Sequence, residues 1–108
     1  MPIRHIVLIN WKQEASAQQI DDWIKYCERI PLECPMVSSW ASGPCILAPV
    51  PDKPSTHDFG ITFDLDSNEE WIAYLGHPYP ESVYAEGLKV IDLERTASAN
   101  MHLEGPVR

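Results

Sequence analysis

Hydrophobic and polar positions alternate with a period of two at the start of the chain. From Ile3 to Trp11, Ile3, His5, Val7, Ile9 and Trp11 share one face of an extended segment, and Arg4, Ile6, Leu8 and Asn10 share the other. Both faces carry apolar groups, which predicts a strand covered on both sides. The period lengthens at Ser16-Ala17-Gln18-Gln19, which has the form of a capping box. Ile20, Trp23, Ile24, Cys27 and Ile30 follow at helical spacing, predicting a helix limited at about Ile30 by Pro31. Met36, Val37, Trp40 and Ala41 among serines predict a second strand within Pro35 to Cys45, closed by Gly43-Pro44. Leu47 to Thr56 holds three prolines and no period, and reads as a loop, either a connection or a flap over a site.

A third strand is predicted where Phe59, Ile61, Phe63 and Leu65 alternate with Asp58, Gly60, Thr62 and Asp64. Ser67-Asn68-Glu69-Glu70 repeats the capping pattern and starts a helix through Leu75 that ends near Gly76. In His77-Pro78-Tyr79-Pro80, two residues without an N–H force the helix to stop and restart. Glu81 to about Asp92 reads as the next helix, with Tyr84, Leu88 and Ile91 on one stripe, and Ser98 to Glu104 as the closing strand before a tail at Gly105 to Arg108. The order β-α-β-β-α(α)-β is α+β and ferredoxin-like, with helices on one face of a four-stranded antiparallel sheet. Residues 1–108 form one domain with its core at about 2–104. Ile6 and Leu8 then point to a bare sheet face, which predicts a homodimer closed face to face.

Composition narrows the function classes. Eight Lys plus Arg against sixteen Asp plus Glu give 108 residues a net charge of −8, without the basic footprint of a nucleic-acid or anionic-membrane binder. No run approaches the ~20 apolar residues of a membrane-spanning helix, and the N-terminal run is too short for a signal peptide. Cys27, Cys34 and Cys45 form no CxxC pair and predict free thiols in a reducing compartment, the cytoplasm. The scattered His and Cys lack metal-ligand spacing, and neither a glycine-rich phosphate loop nor a nucleophile elbow occurs, so no metal and no cofactor is expected.

The candidate chemistry is that of an apolar cavity between sheet and helices. His5, among Ile3, Val7 and Ile9, faces that cavity, and an imidazole titrates near working pH, as a base or carbonyl-polarising group must. Tyr74 lies one turn before His77 and can present its hydroxyl to the same space. Trp40, Phe59 and Ile61 supply apolar wall, Tyr79 a rigid gate between two prolines, and Tyr84 a second hydroxyl. His77 has two readings, a ligand-binding group or a ring that satisfies helix-end carbonyls.

Ile3 to Lys12, the capped helix, His57 to Phe63 and Trp71-Ile72-Ala73-Tyr74-Leu75-Gly76-His77-Pro78 together resemble the stress-responsive A/B barrel (Dabb) family over roughly Pro2 to Leu103. The resemblance implies a dimeric α+β barrel made from two ferredoxin-like units. The family ranges from plant stress proteins without a settled activity to a plant polyketide cyclase that uses a histidine base and no cofactor. Its tyrosine is matched by Tyr74 and its first histidine by His77, and a first-strand histidine by His5. The base position is occupied by Pro80, and a cavity histidine by Phe59, so that mechanism does not carry over intact. The expectation is a cofactor-independent lyase, cyclase or isomerase acting on a hydrophobic or aromatic carbonyl compound, with His5 and Tyr74 as the reacting groups. The alternatives are a non-catalytic dimeric stress or ligand-binding protein, or a cofactor-free monooxygenase.

Overall fold

The computed structural model describes residues 1–45 and 56–103. Four strands, β1 (Ile3–Ile9), β2 (Ser38–Pro44), β3 (Phe59–Leu65) and β4 (Ala97–His102), form one sheet in the order β2-β3-β1-β4. Every neighbouring pair is antiparallel. The helices are α1 (Ala17–Cys27), α2 (Ile30–Glu33), α3 (Asn68–Leu75) and α4 (Pro78–Gly87), with a 3-10 turn at Leu93–Arg95. This is the expected ferredoxin-like α+β arrangement.

Alternation places the core. Phe59, Ile61, Phe63 and Leu65 of β3 are all buried and pair with Ile9, Val7, His5 and Ile3 of β1. They pack against Trp23 and Cys27 of α1, Ile30 of α2, Tyr74 of α3 and Val83 of α4. Ser16 and Gln19 close the capping box of α1 reciprocally, the Ser16 hydroxyl accepting from the Gln19 N–H at 3.1 Å and the Gln19 amide oxygen from the Ser16 N–H at 2.8 Å. The Trp23 indole N–H donates to the Val83 carbonyl at 3.0 Å and so ties α1 to α4. Gly87 lets the two helices meet, because a Cβ there would stand 3.0 Å from the Trp23 indole nitrogen and 3.0 Å from the Ile91 methyl. The opposite sheet face stays open. Arg4 spans it to Asp64 through two hydrogen bonds of 2.8 and 3.1 Å, and Leu8 and Met101 remain exposed.

Several boundaries differ from the sequence reading. β1 ends at Ile9 rather than Trp11, because Asn10 turns inward: its side-chain amide donates to the Thr56 carbonyl at 3.0 Å and the Arg95 carbonyl at 2.8 Å. Trp11 keeps only a single bridge, to Ile91. Pro31 does not limit the first helix, which ends at Cys27; the proline instead sits in the first turn of α2, where its missing N–H has no partner to lose. β2 begins at Ser38 and bulges before Ala41, with Ser39 at φ 51°. For the same reason as Pro31, Pro78 and Pro80 fall inside the first turn of α4, so that helix starts at Pro78 and stops at Gly87 instead of running from Glu81 to Asp92. Its packed stripe is Pro80, Val83 and Gly87, whereas Tyr84 and Leu88 are exposed. β4 runs from Ala97 to His102, one residue early at its start. The tail, and the proline-rich loop apart from Thr56, lie outside the described residues.

Candidate active site

A cavity of about 590 Å³ opens between the helix-facing side of the sheet and the α3–α4 pair. His5 enters from the middle of β1, Trp40 from β2, Ile61 and Phe63 from β3, and Trp71 and Tyr74 from α3. The two α3 residues reach the same space because positions three apart share a helix face. The Ser67 hydroxyl fixes the start of α3 by accepting from the Glu70 N–H at 3.2 Å. The bulge at Ser39 brings the following residue, Trp40, onto the helix side, where its ring stacks on Phe63 at 5.5 Å and 13°.

Phe63 is the floor of an aromatic box. Its ring lies 5.1 Å from His5 and 5.1 Å from Tyr74. Trp71 forms the adjoining wall, 4.8 Å from the His5 ring and stacked on Tyr74 at 5.5 Å and 18°. Such contacts fix ring orientation in addition to burying area.

His5 lies opposite Asn100 in the β1–β4 register, and its Nδ1 sits 2.6 Å from the Asn100 side-chain oxygen. That oxygen accepts only, so Nδ1 carries the proton and the lone pair falls on Nε2. Burial holds the imidazole pKa below its usual value, with the Asn100 hydrogen bond opposing in part, so the ring is neutral at neutral pH. Burial also pushes the Tyr74 phenol far above its ordinary range, with the Cys27 and Cys34 thiols adding to the effect. The hydroxyl therefore keeps its proton and acts as a donor. The Cys27 thiol, pushed up to about 12 chiefly by burial, is a packing group.

Among the residues singled out from sequence, His5, Tyr74, Trp40, Ile61 and Tyr84 line the cavity together, Tyr84 at its exposed mouth. Phe59, Tyr79 and His77 do not. Phe59 is buried against Trp11. The Tyr79 hydroxyl donates to the Tyr26 carbonyl at 2.7 Å, joining α4 to α1. His77 caps α4, its Nδ1 accepting from the Tyr79 N–H at 3.1 Å, with the Cys34 thiol 3.8 Å from the same nitrogen. Sequence reasoning missed Phe63 as the shared contact of three rings and Asn100 as the partner of His5. The strand register carries the second signal, since Ser98, Asn100 and His102 face Val7, His5 and Ile3. Among the described residues no cluster of three or more His, Cys, Asp or Glu could hold a metal ion.

A family model described as the Stress responsive A/B Barrel Domain matches residues 3–98. The chain belongs to this Dabb family. Among solved structures, a dimeric ferredoxin-like protein of unknown function from Thermobifida fusca is similar at 25% identity, with a TM-score of 0.76 over 95% of this chain and 92% of that one. A hydroxynitrile lyase from Passiflora edulis superposes with a TM-score of 0.84 at 18% identity, covering 99% of this chain and 97% of its own. A Dabb-family protein from Mesorhizobium loti gives 0.75 at 15% identity, over 96% of this chain and 98% of that one. The last two likenesses speak to the fold. No curated protein matches the chain. Within this Dabb chain Pro80 is buried in the first turn of α4 and lines the cavity, so the wall on that side offers no titratable group at the position.

Proposed function

We propose that this Dabb-family protein is a homodimer that binds a small hydrophobic, aromatic carbonyl compound or its adduct and acts on it as a cofactor-independent lyase or cyclase. The observation that carries the reading is His5: a neutral imidazole inside an aromatic box, its Nδ1–H anchored on Asn100 and its Nε2 lone pair available. In the lyase form of the reaction, Nε2 takes the hydroxyl proton of a hydroxynitrile. The carbon–cyanide bond breaks, the oxygen becomes the aldehyde carbonyl, and the proton leaves with cyanide as hydrogen cyanide. Tyr74, kept protonated by burial, donates to the substrate oxygen as charge develops there. The similarity to the Passiflora edulis hydroxynitrile lyase supports this form of the chemistry. Open-face residues Ile6, Leu8 and Met101, together with the dimeric Thermobifida fusca relative, support the homodimer. Three free thiols suit the reducing cytoplasm, and no helix of the described residues is long and apolar enough to cross a membrane.

The test is cleavage of mandelonitrile, followed by benzaldehyde absorbance. His5→Ala should lower turnover by on the order of 100-fold or more, the usual worth of a positioned base, and Tyr74→Phe by a smaller factor. Folded variants with full turnover would remove the assignment. A second reading, a ligand-binding protein without catalysis, draws on Pro80 standing where the related cyclase has its base. Saturable benzaldehyde binding by the wild type with no mandelonitrile turnover would favour it.

A further inference from the structure

The charges around the cavity have a sign. Among the described residues that line it, no Lys or Arg occurs, and its one formal charge is the carboxylate of Glu81, in the first turn of α4. Several basic side chains are paired with carboxylates outside the lining: Arg4 with Asp64 on the opposite sheet face, Lys25 with Asp21, Arg29 with Glu33, Lys89 with Glu86 and Arg95 with Asp92. The remaining lining is aromatic and aliphatic, with the hydroxyls of Thr96 and Ser98 beside Leu93. The four rings around the space pack on one another and bring no positive charge that would hold an anion.

Resting on the reading of this space as an aromatic-ligand site, we propose that the cavity excludes anions: it takes uncharged or cationic aromatic compounds and rejects the corresponding carboxylates and phosphates, with Glu81 enforcing the selection. An anion entering it would lose water and gain neither a cation nor a charged donor. The aldehydes, ketones and neutral adducts of the proposed reaction meet that rule, and the corresponding acids do not.

An isosteric series tests the charge rule apart from the chemistry. Binding of 2-naphthamide, 2-naphthoate and 2-naphthamidine, respectively neutral, anionic and cationic at pH 7.5, is measured by titration calorimetry on the wild type and on Glu81→Gln and Glu81→Lys. The amide and the amidine should bind, and the carboxylate should bind at least about tenfold more weakly than the amide, in keeping with the cost of an unpaired charge leaving water. Glu81→Lys should close that gap for the carboxylate while leaving the amide within about twofold, and Glu81→Gln should fall between them. Carboxylate bound as tightly as amide by the wild type would overturn the charge rule alone. Absence of binding by all three compounds would overturn the aromatic-ligand reading beneath it.

Discussion

Asn100→Leu should leave the fold standing while unlocking the tautomer of His5. Asn100 is exposed on the edge strand β4, so stability should fall by no more than the lower part of the ~0.5–1.5 kcal/mol that a hydrogen bond between neutral groups contributes. The ring feels the change more. The 2.6 Å contact holds the proton on Nδ1, and a bias of about 1 kcal/mol is worth roughly a factor of five between two states. Its loss should shift the tautomer ratio by about that factor toward the Nε2–H form, which has no lone pair facing the substrate proton; a ratio falling from about 5:1 to about 1:1 leaves about half the rings competent, so turnover should drop about twofold. The Asn100 bond also raises the His5 pKa against the larger effect of burial, so the variant should titrate lower than the wild type. Long-range proton–nitrogen spectra of the imidazole, recorded from pH 4 to 8, read both quantities on one sample. A wild-type ring protonated on Nε2, or one titrating above the ordinary ~6.5, would refute the assignment of His5 as base.

Other perturbations reach the frame around the site. Asn10→Ala removes two hydrogen bonds from a residue 4% exposed and strands the Thr56 and Arg95 carbonyls, which should cost about 2–4 kcal/mol in a urea melt; a loss under about 0.5 kcal/mol would refute it. Gly87→Ala places a methyl 3.0 Å from Trp23 and Ile91, and chemical denaturation should show a destabilisation of about 1–3 kcal/mol. Ile6→Asp together with Leu8→Asp should yield a monomer by light scattering at micromolar concentration, with the sheet retained by circular dichroism; an unchanged dimer would put the interface elsewhere. His5 also leaves a mark on stability against pH. Its folded pKa lies below the unfolded value of ~6.5, so below that pH the unfolded chain takes the proton first. The His5 contribution is therefore intact above pH ~6.5 and lost as pH falls through the folded pKa, a slope that His5→Gln should flatten.

Much of this was legible in the chain because alternation is a strong signal wherever one face is buried. Phe59, Ile61, Phe63 and Leu65 could belong only to a half-covered strand, and the same rule placed His5 on the helix side. Capping boxes are local hydrogen-bond patterns, and Ser16 and Ser67 marked true helix starts. Proline was harder to read. The same missing N–H forbids a helix interior and suits a first turn, so Pro31, Pro78 and Pro80 looked like terminators and proved to be starters. The site was half visible. His5, Tyr74 and Trp40 converge as their strand and helix faces require, whereas Asn100 meets His5 only through a register between strands 95 residues apart. Tyr79 and His77 looked chemical because they flank prolines, but the Tyr79 hydroxyl and the His77 Nδ1 are engaged in holding α4 in place.

The proline-rich start of α4 bears on how the molecule folds as well as on what it looks like. Beginning a helix is the unfavourable step, because several backbone angles must be fixed before one hydrogen bond is gained, with a nucleation constant of about 10⁻³. In α4, Pro78 and Pro80 arrive with φ already near the helical value, and the His77 ring accepts the Tyr79 N–H that the first turn leaves unpaired. Much of the nucleus is thus written into the covalent chain and removed from the disorder of the unfolded state. α4 should form early and fray late, so the Pro80–Val83 wall of the cavity is the part least dependent on the sheet for its shape. When the molecule breathes, opening of this pocket should begin at α3 or β4 and leave α4 as the fixed jaw.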